Sequence, residues 1–337
     1  MTKQHTALIL GATGGVGGEL ARALVARGWQ VRAMHRDPGK IRKPISGATW
    51  VRGDAMNRGD VIATADGVDL VVHAVNPPGY RNWAGLALPM LENTVAAARE
   101  SGARIFFPGT VYNFDAEKYS LVAEDTPQTP LTRKGAIRVA MEACLQRAAA
   151  DGVRSLILRA GDFFGPTSAA GNSWFSGAMI KPGRRVTSVT YPGRPDVGHA
   201  WAYLPDYVET AMRLIARDAE LSPFAMFHFG GHWCERGIEM AEAVRAAVGE
   251  PRLPIRKFPW WLITLASPFV ETFREMQEMT YLWRLPLRLD NRRLVALLGE
   301  EPHTPAVEAV RATLLGLGSL PGRRGRGAAA VPLATST

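Results

Sequence analysis

The sequence predicts an α/β protein, a doubly wound parallel sheet of the Rossmann type with a smaller, mainly helical C-terminal lobe for a substrate. Three observations predict it. Short apolar runs alternate with segments of helical periodicity through the first half of the chain. A glycine-rich turn joins the first such run to the first helix. Beyond residue 230 most segments carry apolar residues at helical spacing.

Taken in order, residues 6–10 (TALIL) form a buried strand that ends in glycine. The spacing predicts a helix over 19–27, stopped by Gly28, a second strand over 29–35 and a third over 50–52. The largely apolar run 69–75 (DLVVHAV) is what a parallel strand buried on both faces requires. A helix over 86–101 stops at Gly102, and a strand over 104–107, a helix over 134–150 and a strand over 155–158 follow. Residues 163–195 are rich in Gly, Pro and Ser and read as a long loop region. Helix 205–217 and strand 224–229 come next, the strand returning to the main sheet. Helix 235–248, an aromatic-rich helical stretch over 260–283 broken at Pro268, and helices 291–298 and 306–315 close the fold. Residues 319–337 lack periodicity and read as a disordered tail. The expected division is a dinucleotide-binding domain over 1–163, rejoined by 197–230, and a substrate lobe from 164–196 and 231–318.

Composition narrows the function classes. Hydrophobic residues make up 47% of the 337 positions and charged residues 21%, ordinary for a globular protein. Two cysteines, Cys144 and Cys234, build neither a disulfide framework nor a zinc site, so a reducing, cytoplasmic setting and no metal are expected. The apolar run 7–10 is too short for a signal-peptide core, and the most membrane-like segment, 260–270, is too short and contains Pro268. The net charge is +9, but the only dense basic group, Arg323, Arg324 and Arg326, lies in the tail. A nucleic-acid or membrane partner is therefore not expected, whereas a positive field suits a polyphosphate cofactor.

The strand 6–10 runs into Gly11-Ala12-Thr13-Gly14-Gly15-Val16-Gly17 and then a helix. Gly11 permits the tight turn, Gly14 lets the backbone approach a pyrophosphate, and Gly17 lets the helix pack close to the strand. Thr13, Gly15 and Val16 complete the turn, whose free N–H groups face the phosphates. The second strand ends in Met34-His35-Arg36-Asp37. An NAD site places a carboxylate at the strand end, but His35 stands there, and Arg36, with Arg32 or Lys40, suits a 2′-phosphate. NADP is therefore expected, with NAD the alternative. Asp54, after the third strand, either accepts from the adenine amino group or caps a turn.

On these residues the chain resembles the extended short-chain dehydrogenase/reductase family, which contains nucleotide-sugar epimerases and dehydratases, over roughly residues 5–318. Gly11, Gly14 and Gly17 match the family's glycine turn, and Asp54 its acidic residue near the adenine. Further matches are Val111-Tyr112-Asn113, Glu124 to Pro130, the Arg159 to Pro166 segment across the substrate cleft, Tyr203 to Val208, and Leu298 to Pro305. The resemblance implies a nicotinamide cofactor resting on Ala74 and Val75, a small-molecule substrate and, in many members, a homodimer.

The family's acid/base pair, Tyr-x-x-x-Lys, is absent. Lys134 stands where the tyrosine belongs, Arg138 where the lysine belongs, and Glu142 follows in the same register. Pro108 occupies the serine position, with Thr110 close by. Lys134 and Arg138 lie one helical turn apart. A lysine beside an arginine at a partly desolvated cleft is expected to lose basicity and to donate a proton. Arg138 then binds the nicotinamide ribose. Tyr112, Tyr203 and Thr110 are the alternative groups for the chemistry, and a solvated basic helix face is the alternative for Lys134.

The C-terminal lobe is rich in aromatics, among them Trp174, Trp201, Trp260, Trp261, Phe269 and Trp283, which form core or line an apolar pocket. Lys181, Arg184, Arg185 and Arg194 are candidates to hold an anionic group, and His199 and His228 read as structural. The sequence thus points to NADP(H)-dependent hydride transfer to a small, apolar or aromatic carbonyl or enone. A non-catalytic NADP(H)-binding sensor or assembly protein and a nucleotide-sugar epimerase or dehydratase are the alternatives.

Overall fold

A computed structural model describes residues 4–77, 82–167 and 173–320. At its centre lies a seven-stranded sheet. Strands β1 (Thr6–Leu10), β2 (Gln30–His35), β3 (Ala48–Arg52), β4 (Leu70–His73) and β5 (Arg104–Thr110) take the order 3-2-1-4-5. Ser155–Ala160 and Phe224–His228 extend it beyond β5, and every neighbouring pair is parallel. The strand order reverses between β1 and β4, where an open α/β sheet leaves a crevice for a ligand.

The central strands are apolar on both faces because both are covered. Ala7, Leu8, Ile9, Val71 and Val72 are wholly inaccessible. Helices α1 (Gly15–Ala26) and α5 (Leu204–Ala216) cover one face, packing Leu20, Leu24, Tyr207 and Ala211 with Ile9 and Val72. On the other face lie α2 (Arg58–Thr64), α3 (Trp83–Ser101) and α4 (Arg133–Ala150). Leu91, Met141 and Leu145 pack there against Ile105 and Ile157, and Val61 and Met90 against Leu8 and Leu10.

A second, three-stranded sheet joins Asp162–Phe164, His199–Tyr203 and His232–Cys234. It carries the lobe's core, in which Phe164, Phe175, Trp201, Tyr203 and Trp283 are buried together with α6 (Glu239–Val248). Most of the lobe's aromatics are thus core. The exceptions lie on the aromatic stretch, where α7 (Trp260–Ala266) and α8 (Glu271–Gln277) are joined by a turn that carries Phe269. There Trp261 is 67% and Phe269 89% exposed. Helices α9 (Arg292–Leu298) and α10 (Ala306–Gly316) complete the chain.

Several elements differ from the sequence expectation. Helix α1 begins at Gly15 instead of 19, because glycines carry no apolar periodicity. Strand β5 continues through Pro108 and Gly109 to Thr110. The loop region 163–195 contains strand Val189–Tyr191 and a π-helical turn, Phe175–Met179. The expected disordered tail starts too early: Ser319 is buried, while 321–337 lie outside the described residues. Among the described residues no helix is long and apolar enough to cross a membrane, and no cluster of His, Cys, Asp and Glu is arranged to hold a metal.

Candidate functional site

The glycine turn lies at the reversal of strand order. Gly11 has φ +92°, and a Cβ there would stand 2.5 Å from the Ala74 carbonyl oxygen, so only glycine fits. A Cβ at Gly17 would sit inside van der Waals contact of the Gly11 carbonyl, which is how closely α1 crosses β1. Gly15 is different: a Cβ there would meet only Leu204 Cδ2, at 3.8 Å. The protein's own packing therefore demands Gly11 and Gly17 but would admit a methyl group at Gly15 in ordinary contact with Leu204. The N-terminus of α1 has no side-chain cap and no acid in its first turn. Its unsatisfied N–H groups and dipole suit an anion, and the residues present fit a dinucleotide pyrophosphate. Thr13 is exposed on the turn.

Beyond β2, Arg36 is exposed, and Asp37 pairs with Lys40 at 2.8 Å. Arg32 is committed elsewhere, donating to the Thr64 and Asp66 carbonyls at 3.0 and 2.6 Å. Among the described residues Arg36 is thus the cation next to the strand end with no such commitment. Asp54 caps a turn: Oδ1 accepts from the Met56 N–H at 3.0 Å, while its N–H donates to Asp60 at 2.9 Å. Oδ2 makes no hydrogen bond among the described residues.

A cavity of about 190 Å³ opens at the C-terminal ends of β4, β5 and the strand Ser155–Ala160. Val16, Ala74 and Val75 form the side next to the glycine turn, and Trp83, Phe107, Phe163 and Trp174 give it aromatic walls. Thr110, Tyr112, Arg138 and Asp162 bring polar groups to it. Arg138 donates to the Pro108 carbonyl at 3.3 Å, and its guanidinium lies 5.2 Å from both the Trp83 and the Phe107 ring centres. Thr110 Oγ1 accepts from the Tyr112 N–H at 3.4 Å, so the two residues share one turn. Below them Arg159, wholly buried, donates to Glu142 at 2.7 Å, to the Thr110 carbonyl at 2.5 Å and to His228 Nε2 at 3.2 Å. Gln128 also donates to Glu142, at 2.8 Å. This network fixes the end of β5 and makes His228 a neutral acceptor. Burial first, then the Arg159 charge, lowers the His228 pKa to about 3.

His73 also lines the cavity. Thr94 donates its hydroxyl to the Met90 carbonyl at 3.0 Å, so it accepts from His73 Nδ1–H at 2.8 Å. Burial, then the Arg138 charge, brings His73 to about 3, a neutral imidazole at pH 7.

The expectation for Lys134 is corrected. It does not line the cavity, is 1% exposed, and points away from Arg138 toward α8. Its Nζ lies 2.5 Å from Glu275 Oε2, 2.8 Å from Glu278 Oε2 and 2.9 Å from the Glu275 carbonyl. Glu278 also accepts from the Lys134 and Arg133 N–H groups, capping α4. Burial alone would raise the Glu278 carboxyl, but the Lys134 hydrogen bond and charge outweigh it, and the net shift is downward. One helical turn separates Lys134 from Arg138 as expected, yet the partners on α8 draw the lysine out of the site. The expected anion holders are not at the cavity either: Arg194 pairs with Asp196, and Arg184 and Arg185 are exposed.

Asp162, which the sequence offered only within a family-like segment, also lines the cavity, and its Oδ2 lies 2.9 Å from Nε2 of His199, read from the sequence as structural. The pairing was not legible because it forms across two strands 37 positions apart.

No curated protein matches the chain. Solved structures do. An L-threonine dehydrogenase from Clostridium difficile superposes with a TM-score of 0.74 at 18% identity, over 93% of this chain and 98% of that one. A UDP-glucose 4-epimerase from Thermotoga maritima, with UDP-glucose, gives 0.71 at 16%, over 92% and 98%. The Bordetella bronchiseptica enzyme WbmH, in complex with NAD+, gives 0.68 at 19%, over 93% and 98%. These likenesses establish the fold. The model of the NAD dependent epimerase/dehydratase family matches residues 7–227, a span that holds the glycine turn, β5, α4 and the cavity. The chain therefore belongs to the NAD dependent epimerase/dehydratase family and carries its NAD(P)-type Rossmann fold.

Proposed function

We propose that the protein is an NADP(H)-dependent oxidoreductase acting on a small carbonyl or enone compound with an apolar or aromatic body. The observation that carries this reading is the cavity itself. It adjoins the glycine turn through Val16, Ala74 and Val75, and Trp83, Phe107, Phe163 and Trp174 give it aromatic surface beside the polar groups of Thr110, Tyr112, Arg138 and Asp162. When bound, the nicotinamide supplies the hydride. The chain supplies position. Gly14, Gly15 and the α1 N-terminus hold the pyrophosphate, Arg138 holds the nicotinamide ribose, and Asp54 Oδ2 accepts from the adenine amino group. Arg36 takes the 2′-phosphate, since His35 stands where an NAD site needs a carboxylate and Asp37 is occupied by Lys40. Thr110 and Tyr112 orient the substrate oxygen. Lys134 anchors α4 and takes no part in the chemistry.

Titration of the protein with NADPH and with NADH tests the reading. The expected result is preferential NADPH binding that Arg36→Ala weakens by about tenfold or more, a charge-assisted contact being worth roughly 1.5–3 kcal/mol, with NADH affinity unchanged. Equal losses for both cofactors overturn the NADP assignment. NADPH oxidation that no neutral aldehyde or ketone stimulates overturns the oxidoreductase assignment.

A further inference from the structure

We infer that the outer face of α7 and of the turn after it seats the protein on an anionic lipid bilayer. Trp261, Leu265 and Phe269 enter the surface, and Arg252, Arg256 and Lys257 meet the lipid phosphates. The inference makes no use of the reaction proposed above.

The sequence of α7 is Trp-Trp-Leu-Ile-Thr-Leu-Ala, with Thr264 its sole polar residue. A helix apolar on all sides belongs in a core or in lipid, yet only one side of α7 meets the protein. On that side Ile263 is buried, Trp260 Nε1 donates to the Pro192 carbonyl at 2.7 Å, and the Trp260 ring packs on Trp174 with centroids 5.7 Å apart. On the other side Trp261, Leu262 and Leu265 are exposed, Leu265 by 69%. Helical hydrogen bonds run on past Ala266: the Ser267 N–H donates to the Ile263 carbonyl at 2.9 Å and the Val270 N–H to the Ala266 carbonyl at 3.0 Å. Positions 261, 265 and 269, four residues apart, therefore form one row, and Phe269 ends it as its most exposed side chain. Leu262 and Val270 widen the row. Contiguous exposed apolar surface of this kind marks an interaction site.

Charge selects the occupant. From Pro251 to Val270 the chain has three cations, Arg252, Arg256 and Lys257, and no acid. All three are exposed, and among the described residues none makes an ion pair. Strand Ile255–Lys257 leads into α7 through Phe258 and Pro259, which puts Arg256 and Lys257 at the start of the apolar row. The flanking acids are Glu250, 3.9 Å from Arg185, and Glu271, beyond the far end of the row. Cations beside exposed tryptophan and leucine suit a bilayer: the apolar groups enter the headgroup boundary, and the phosphates take the charges. A second copy of the chain would bring to this face three further cations and no acid from the same stretch. The expectation of no membrane partner rests on span length and on the lack of a dense basic run, whereas a helix lying in the plane of the surface needs no span. Trp174, against which Trp260 packs, lines the cavity, so a bilayer under α7 lies one aromatic ring from the cavity wall.

Co-sedimentation of the full chain with lipid vesicles tests the inference. Vesicles of phosphatidylglycerol and phosphatidylcholine are expected to bind it roughly tenfold or more tighter than phosphatidylcholine alone, and about 1 M salt should remove most of the difference. Leu265→Asp with Phe269→Asp is expected to lower vesicle affinity by about tenfold or more. Arg256→Gln with Lys257→Gln is expected to remove most of the preference for phosphatidylglycerol. Both pairs lie at the surface, so their denaturant midpoints should stay at the wild-type value. A milder variant guards against misfolding: brominated phosphatidylglycerol should quench tryptophan fluorescence in the wild type and do so less in Trp261→Phe. No binding to anionic vesicles overturns the inference. Binding that the Leu265 and Phe269 changes leave intact, or quenching that Trp261→Phe leaves unaltered, overturns it too, since another surface would then hold the lipid. A lipid-free dimer that Leu265→Asp with Phe269→Asp disperses makes a second copy the occupant and likewise overturns it.

Discussion

Lys134 illustrates how far a single residue's role depends on neighbours that are remote in sequence. Its register on α4 follows from the resemblance, but its partners, Glu275 and Glu278, lie more than 140 positions away. Because the lysine and both carboxylates are shielded from water, removing the cation strands two acids. Lys134→Ala is expected to cost roughly 3–5 kcal/mol of folding stability, read by denaturant unfolding, while NADPH affinity in the folded protein is retained. Glu275→Gln with Glu278→Gln in the Lys134→Ala background should recover part of the loss. A stable Lys134→Ala protein that binds NADPH but turns nothing over would restore the lysine to the chemistry. Arg138, by contrast, on the same helix and one turn on, does line the cavity, with aromatic rings on two sides and a carbonyl to hold it there.

At the scale of elements, the glycine turn separates two demands that a motif merges. Gly15→Ala introduces a methyl group that meets only Leu204 at ordinary contact distance. Thermal stability should therefore hold within about 1 kcal/mol, while dinucleotide affinity falls because the methyl group occupies the pyrophosphate's side. Gly17→Ala forces α1 away from β1, so unfolding at lower denaturant is expected in the free protein, before any ligand is added. Reversal of these two outcomes would mean that the pyrophosphate lies elsewhere. The strands and helices of the main sheet were legible because burial on both faces writes apolar runs. The second sheet was not: Asp162–Phe164, His199–Tyr203 and His232–Cys234 are three to five residues long and mix aromatics with histidines. Neither period two nor period 3.6 can be measured in so few positions. The same shortness hid the pairing of Asp162 with His199. Helix α2 escaped for a related reason, since only Val61 and Thr64 of its seven residues are buried.

For the molecule as a whole, buried histidines set the response to acid. His73 and His228 are lowered to about 3 and His232 to about 4, in each case chiefly by burial. In the unfolded chain they titrate near about 6.5. Their folded values lie below the unfolded one, so the unfolded state binds more protons in between. Stability is complete above about pH 6.5 and is lost as pH falls from there toward 3 to 4. Near pH 5 each residue withdraws on the order of 2 kcal/mol. Denaturant unfolding at pH 7.5 and at pH 5 should show this loss, with close to three protons taken up per molecule unfolded. A flat profile over that range would mean that these rings are already charged or solvated.

The strand His199–Tyr203 has one end at the Asp162 wall and the other at Leu204, whose side chain abuts the Gly15 position of the cofactor turn. On the proposed function, substrate pocket and dinucleotide seat would thus be joined by one buried strand five residues long. Any factor by which an occupant of the first tightens the second must be returned in equal measure, since the thermodynamic cycle closes. The order in which the two ligands arrive is then a kinetic matter alone, and their mutual preference is one number, measurable from either side.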